Sequence, residues 1–277
     1  MDLDLRKLRY FAAVAEHRHF GRAAQALYIA QPVLSRQIRA LEHELGCTLL
    51  ARTTRRVQLT PAGEQLHEET RGLFAAVDSA LRRVHEVDRG VARVVVAFAP
   101  GLHVSEAVRA FTATHPDVEI ALLRLDWWEQ DAPLRDGRAD VGLLRRPFDD
   151  TGLRSVPVGS DPKVVCLPAS HPLARRRRLH LADLEGRPLL NTQGRRTDSL
   201  EEKFELIASG TAIAVVPRSV ARSYSRPDLV HRPLTDAEPA QTCVVVAEDR
   251  REQRVLDFAT VAVETLGADA PRLAVAD

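Results

Sequence analysis

The segment from Phe20 to Gly46, F-G-R-A-A-Q-A-L-Y-I-A-Q-P-V-L-S-R-Q-I-R-A-L-E-H-E-L-G, constrains this chain more than any other. Phe20, Ala23, Ala24 and Leu27 recur three or four residues apart and mark one apolar face of a short helix. Tyr28, Ile29 and Ala30 interrupt the pattern as a turn. Pro32 then falls in the first turn of a second helix, where its missing N–H costs no hydrogen bond. Leu34, Ile38, Leu41 and Leu45 form the buried stripe of that helix, and Gly46 ends it. Pro32, Ser35, Arg36 and Arg39 gather on the opposite face, which carries two guanidinium groups, a hydroxyl and no carboxylate. Arginine pairs two donors with guanine or with a phosphate, and serine bonds either, so this face suits a DNA major groove. Charged helix faces are usually just solvated, and here the flanking segments decide between the two readings.

Upstream, Leu5, Leu8, Phe11, Ala12 and Ala15 mark another helical face, which completes a three-helix core. Downstream, Val57 and Leu59 alternate with polar neighbours as in a short strand, and Thr53-Thr54-Arg55 reads as the turn of a wing. Arg52, Arg55 and Arg56 then sit where they can meet phosphates, which adds affinity and salt dependence without sequence information. Thr60-Pro61-Ala62-Gly63-Glu64 opens a long helix, with Thr60 as cap, Pro61 at the first position and Glu64 at the positive dipole end. Leu66, Leu73, Val77, Leu81 and Val84 run along it near the 3.5-residue period of a two-stranded coil. That stripe either packs on its own domain or joins two chains. Dimerisation is favoured, because a linker of this length has little else to cover it.

From Val91 onward short β-branched runs alternate with helical segments. The strand candidates are Val94–Ala99, Val118–Leu125, Asp140–Leu144, Lys163–Leu167, Ala212–Val216 and Thr242–Ala247. The helical stretches are Ser105–Thr114, Glu129–Asp136, Leu200–Ser209, Ser219–Ser225 and Glu252–Leu266. Such alternation predicts an α/β domain with mainly parallel sheets, whose ligands bind beyond the carboxyl ends of the strands. Three regions follow: a winged helix-turn-helix at 1–60, a linker helix at 61–90 and an α/β domain at 91–277.

Charge distribution supports the nucleic-acid reading where net charge does not. The 277 residues carry 39 Lys or Arg against 38 Asp or Glu, yet residues 1–60 hold ten against five. No apolar run approaches the roughly 20 residues needed to span a bilayer, and M-D-L-D-L-R-K-L-R lacks the apolar core of a signal peptide, so a cytoplasmic location is expected. Cys47, Cys166 and Cys243 show no C-x-x-C spacing, which leaves zinc and dithiol chemistry without support. Neither G-x-S-x-G, G-x-G-x-x-G, a P-loop nor H-E-x-x-H occurs, so the sequence offers no enzyme signature.

L-R-Y-F-A-A-V-A-E at Leu8–Glu16, F-x-R-A-A-x-x-L at Phe20–Leu27, Q-P-x-L-S-R-Q-I-R-x-L-E-x-E-L-G at Gln31–Gly46 and L-x-x-R-x-x-R-x-V-x-L-T-x-A-G at Leu49–Gly63 resemble the LysR-type bacterial transcriptional regulators. L-R-D-G-R-A-D-V-G-L-L (Leu134–Leu144), A-S-H-P-L-A (Ala169–Ala174), L-A-D-L-E-G-R-P-L-L (Leu181–Leu190) and S-L-E-E-K-F-E-L-I-A-S-G-T-A-I-A-V-V-P (Ser199–Pro217) extend the resemblance through the second half. It implies an α + α/β protein: a winged helix-turn-helix, a long linker helix and a two-lobed effector domain similar to periplasmic binding proteins. It also implies a regulator that binds double-stranded promoter DNA as a homodimer or homotetramer, senses a small molecule between the lobes and has RNA polymerase as a further partner. Neither a cofactor, a metal nor a membrane is implied. Gln31 joins Pro32, Ser35, Arg36 and Arg39 as a DNA contact on this basis.

Two departures stand out. Ala30 occupies the cap position where the family has a small hydroxyl residue, a loss of about 1 kcal/mol. Between Leu190 and Ser199 only N-T-Q-G-R-R-T-D stands where the family usually carries a further helix and strand, so either the second lobe is shortened or Arg195–Asp198 substitutes as an edge strand.

Candidate effector contacts follow from the loops expected to flank the cleft: Pro100, Gly101 and His103 after the first strand, Trp127 and Trp128 after the second, Ser160 and Asp161 at the crossover, and Thr192, Gln193 and Thr211 in the second lobe. For each of these, loop or cap duty competes with ligand contact. Arg175–Arg178 reads as a solvated loop rather than a nucleic-acid patch. A transport protein that binds solute and a redox sensor built on Cys166 and Cys243 are the rival readings. The N-terminal helix pair opposes the first, and the distance in sequence between the cysteines disfavours the second.

Overall fold

Amphipathic spacing and local caps shape the N-terminal helices. In the computed structural model, which describes residues 4–52, 57–127, 130–190 and 199–267, α1 spans Leu5–His17, α2 Phe20–Ala26 and α3 Gln31–Leu45. Asp4 caps α1 by accepting from Arg6 N at 2.8 Å, and His19 Nδ1 caps α2 by accepting from the Gly21 and Arg22 amides at 3.1 and 3.2 Å. α3 starts at Ala30 with no side-chain cap, and Gly46 closes it in the left-handed region at φ +67°. Leu8, Phe11, Val14, Leu34, Ile38 and Leu41 fill the core between the three helices. β1 (Leu50–Arg52) and β2 (Val57–Leu59) form an antiparallel ribbon, with Leu50 opposite Leu59 and Arg52 opposite Val57.

The ribbon is tied down at its base. Glu42 Oε1 on α3 accepts from the Leu49 and Leu50 amides at 2.9 and 3.1 Å, which anchors the start of β1 to the end of α3. α4 (Pro61–Asp88) follows directly. Thr60 Oγ1 accepts from Gly63 N at 3.1 Å and donates to Thr48 O at 2.7 Å. Leu66 and Phe74 of α4 pack against the N-terminal core, with the Arg9 guanidinium 5.4 Å from the centre of the Phe74 ring. This first compact unit ends at Arg82, within α4.

Residues 83–277 form the second unit. Its larger sheet contains β3 (Ala92–Phe98), β4 (Val118–Arg124), β5 (Val141–Arg145), β6 (Leu153–Asp161) and a strand near the end of the chain, Ala240–Ala247. That last strand lies between β5 and β6, and the order is β4, β3, β5, Ala240–Ala247, β6. α5 (Ser105–Thr114) and the terminal helix Gln253–Leu266 cover one face, with Phe111 and Phe258 edge to face at 5.2 Å. Val94 and Val96 point into that layer, whereas Val95 and Ala97 enter the opposite one with Leu134 of the short α6 (Ala132–Arg135), as period-two alternation requires.

β7 (Lys163–Pro168) begins one residue after β6 and is the central strand of the second lobe. α7 (Leu200–Ala208), β8 (Ala214–Pro217), α8 (Arg218–Ser223) and β9 (Leu229–Pro233) complete that lobe, and Ala240–Ala247 (β10) and Gln253–Leu266 (α9) return the chain to the first. The sheet order is β8, β7, β9, and both pairings are antiparallel. Parallel bridges at Leu189–Ile213 and Leu179–Leu234 widen it.

The expectation of mainly parallel sheets is overturned. Among the strands of the described residues, β3 alone pairs parallel, with β4 and β5, whereas β10 runs antiparallel to β5 and β6, as β7 does to β8 and β9. The alternation rule fails because the chain passes from β5 to β6 and from β6 to β7 without a helix. β6 and β9 were not anticipated either. Both are edge strands, and Pro157 inside β6 is tolerated only there. The expected helix Glu129–Asp136 shrinks to the single turn of α6. The substitute strand expected at Arg195–Asp198 lies outside the described residues.

Candidate nucleic-acid interface and inter-lobe cavity

α3 turns Leu34, Ile38 and Leu41 fully inward, so Gln31, Pro32, Arg36 and Arg39 are exposed and Ser35 is half-buried on the outer side. The two acids near the end of the helix are held elsewhere: Glu44 pairs with Lys7 of α1, and Glu42 holds β1. Among the described residues, neither Arg36 nor Arg39 has an ion-pair partner. The face therefore presents two guanidinium groups without an ion-pair partner among the described residues, an arrangement that can pair with anions.

Sequence reasoning missed Tyr28. It sits at the turn before α3 with φ +55°, an uncommon conformation for a non-glycine residue, and is 96 % exposed. The available signal was that Tyr28 belongs to neither apolar stripe. Arg52 ends β1, and Arg55 and Arg56 lie outside the described residues.

Along α4, the predicted stripe divides. Leu66 is turned into the core of its own domain. Leu73, Leu81 and Val84 are exposed, Val77 is half-buried, and Val87 extends the row at 82 % exposure.

The second unit contains an inter-lobe cavity of about 510 Å³, within the usual range of small-molecule sites. Pro100 and Trp127 line it, as expected from sequence. The other described candidates do not. Gly101, at φ +78°, abuts the backbone of α8, where a Cβ would lie 2.6 Å from Val220 N. His103 is exposed ahead of α5. Ser160 is an exposed ladder residue opposite Gln241, and Thr211 Oγ1 bonds Ser209 Oγ at 2.8 Å. Trp128, Thr192 and Gln193 lie outside the described residues.

Asp161 has a different role from ligand contact. Its Oδ2 accepts from Arg145 Nε at 2.8 Å and from Ser219 Oγ at 2.5 Å, while Oδ1 accepts from Ser219 N at 3.1 Å. Arg145 also donates to Pro100 O at 2.8 Å, and both charged side chains are buried. Burial lowers the Arg145 pKa, and the adjoining Asp161 opposes that shift. This network joins the end of β5, the crossover strand β6 and the start of α8.

Lys203 was overlooked as well. It lines the cavity from α7 and is 6 % exposed, although Leu200, Lys203, Phe204 and Ile207 show it lying on an apolar helical stripe. Its ammonium group stands 5.4 Å from the centre of the Trp127 ring. Burial lowers its pKa, and burial pushes the nearby Cys166 thiol up to about 12, which keeps that thiol neutral and unreactive. Among the described residues, no group of His, Cys, Asp and Glu could hold a metal, and no helix is long and apolar enough to cross a membrane.

Comparison with known proteins gives two domain matches. The bacterial regulatory helix-turn-helix protein of the lysR family matches residues 5–64, and the LysR substrate binding domain matches residues 85–197. Ser199 and everything after it lie beyond the matched range. The HTH-type transcriptional regulator YnfL of Escherichia coli (strain K12) is 40% identical over 195 residues, 69% of this chain and 66% of that protein. The chain thus spans just under two thirds of that relative's length. The Hca operon transcriptional activator HcaR of the same organism is 32% identical over 231 residues, 82% of this chain and 74% of HcaR. Among solved structures, that of CbnR, a LysR family transcriptional regulator, superposes with a TM-score of 0.66 over 95% of this chain and 99% of that one, at 23% identity, which speaks to the fold.

Proposed function

Because the chain belongs to the LysR family of transcriptional regulators, we propose that it is a cytoplasmic, non-enzymatic regulator that binds specific operator DNA and answers to a small effector held between its lobes. The carrying observation is the outer face of α3, where Arg36 and Arg39 stand exposed and unopposed above a fully buried stripe. In this reading α3 enters the major groove, and Gln31, Ser35, Arg36 and Arg39 meet bases and backbone, with Pro32 and Tyr28 at its leading edge. Arg52, Arg55 and Arg56 contact flanking phosphates.

Two copies joined along Leu73, Val77, Leu81, Val84 and Val87 place a pair of such helices on an inverted-repeat site. An effector that binds one arrangement of the lobes more tightly shifts the population toward it and so changes how the dimer, or a tetramer of two dimers, holds DNA.

Arg36→Ala is expected to weaken binding to the cognate operator by about 1–3 kcal/mol while leaving random-sequence binding nearly unchanged. Arg55→Ala should weaken all duplexes alike and lower the salt slope by about one. Footprinting of the upstream region of the gene locates the operator, and gel-shift titrations against operator and random duplex read both effects. Equal loss on the two duplexes for Arg36→Ala would remove it from base readout.

The linker assignment has its own test. Leu81→Ala removes apolar area from the proposed seam and should weaken self-association by about 2 kcal/mol. Sedimentation equilibrium of the full-length chain measures this, and an unchanged dissociation constant would place the dimer contact elsewhere.

A further inference from the structure

We propose that Lys203 is the charge-reading group of the inter-lobe cavity, and that the molecule it reads is an organic monocarboxylate carried on an apolar body. This rests on the reading of the cavity as the effector site, and it deepens that reading by naming the ligand class and the residue that selects it.

Lys203 lies on the apolar stripe of α7 between Leu200 and Ile207 and is 94 % buried, the complement of its 6 % exposure. Among the described residues its ammonium has no hydrogen bond and no ion pair. A buried charge is ordinarily paired, because taking an ion out of water costs several kcal/mol. Of the three acids on α7, Glu202 next to it is exposed, and the other two have partners of their own. Glu201 accepts from Tyr224 Oη at 2.9 Å, and Glu205 accepts from Arg226 at 2.5 Å. Cys166, the thiol beside it, is neutral. The remaining neighbour is the Trp127 ring, a partial substitute for a counter-ion.

The rest of the cavity selects the ligand class. Arg145 is paired with Asp161 and Arg146 with Asp150, which leaves Lys203 and Lys163, among the described residues, as its cations without an ion pair, beside Glu238 and the amides of Gln130 and Gln241. The remaining wall is largely apolar, from Trp127, Leu200, Val216, Pro217 and Val220. A compact, strongly hydrated anion such as phosphate gains nothing from that apolar wall and loses its own hydration on entering. A carboxylate attached to an apolar group satisfies the ammonium at one end and covers the apolar wall with the other.

The test uses the full-length protein with cyclohexanecarboxylate and hexanoate as probes, their uncharged amides as isosteres, and inorganic phosphate as the compact anion. Calorimetric titration and thermal stability are read for the native chain, Lys203→Met and Val216→Trp, and because Val216 also belongs to the core of its lobe, Gln241→Trp, at an exposed lining position, takes its place if Val216→Trp lowers the stability of the unliganded protein. Lys203→Met keeps the volume of the stem and removes the charge; Lys203→Gln takes its place if the first fails to fold. The expected result is saturable binding of the carboxylates, at least tenfold weaker for the amides and for phosphate, and at least tenfold weaker carboxylate binding in Lys203→Met. The unliganded Lys203→Met protein should be no less stable than the native one. Carboxylate binding that falls in the cavity-filling Val216→Trp but not in Lys203→Met overturns the role of Lys203 alone. Binding that survives Val216→Trp overturns the cavity as the effector site. Absence of carboxylate binding to the native chain at millimolar concentration, or amides binding as well as acids, overturns the ligand class.

Discussion

Replacement of Asp161 by alanine is expected to destabilise the effector domain by about 3–5 kcal/mol, the usual cost of leaving one member of a buried ion pair without its partner. Both carboxylate oxygens of Asp161 are engaged, with Arg145 Nε at 2.8 Å and with the Ser219 amide and hydroxyl. Without them the Arg145 guanidinium keeps, among the described residues, only neutral acceptors, Pro100 O at 2.8 Å and Ser219 Oγ at 2.5 Å. Ser219→Ala, which leaves the ion pair in place, should cost only about 1–2 kcal/mol. Replacing the pair together, as Arg145→Met with Asp161→Leu, should lie much nearer the native protein than Asp161→Ala does. Urea denaturation of the four proteins measures the series. A loss below about 1 kcal/mol for Asp161→Ala would mean that water reaches Arg145 and that the network holds nothing together.

The same network explains why a residue at the crossover cannot also be a free ligand contact. Ser219 opens α8 in the second lobe, Arg145 ends β5 in the first, and Asp161 lies where the chain passes between them. Weakening the network should therefore alter the relation of the lobes as well as stability. In Ser219→Ala, the milder variant, a changed affinity for a cavity ligand would report that coupling.

How much of this was legible depends on whether a feature is local. The three N-terminal helices and α5 could be read from spacing alone, because Leu34, Ile38 and Leu41 must share one face in any helix. The order of the strands could not. β10 is inserted between β5 and β6 from almost 80 residues away in sequence, and no periodicity encodes which edge it joins. β9, L-V-H-R-P, carries little apolar signal because it lies at an edge and is mostly half-buried. The cavity shows the same division. Pro100 and Trp127 follow their strands and could be anticipated, whereas Arg146, Lys163 and Glu238 meet there only through the tertiary fold. Lys203 is the instructive case: its place on an apolar stripe was visible in the sequence, but a lysine at such a position is easily taken for a snorkelling surface residue.

Gly63→Ala opposes two local effects of opposite sign, and their magnitudes decide the outcome. Gly63 is the third residue of α4, and alanine within a helix is favoured over glycine by about 0.5–1 kcal/mol. A Cβ there, however, would stand 2.1 Å from Leu49 O, 3.0 Å from the Leu49 carbonyl carbon and 3.3 Å from Leu59 Cδ2. The first contact lies more than an ångström inside any tolerable separation, and its partner is backbone. Leu49 has little freedom to retreat: its amide is held by Glu42 at 2.9 Å, and its carbonyl accepts from Thr60 N at 2.9 Å. Relief requires α4 to lift away from the ribbon, which breaks the Thr60–Thr48 bond and separates Leu66 and Phe74 from the N-terminal core. Overpacking and lost hydrogen bonds together should cost about 3 kcal/mol or more. Because Glu42 and Leu49 also set the ribbon against α3, affinity for operator and random duplex should fall together, whereas ligand binding in the second unit should not change. Gel shifts on both duplexes, hydrogen exchange across residues 4–52 and titration of a cavity ligand separate these readouts. A Gly63→Ala protein more stable than the native one would show that helix propensity outweighs the contact, and that the junction between ribbon and linker helix is looser than its packing implies.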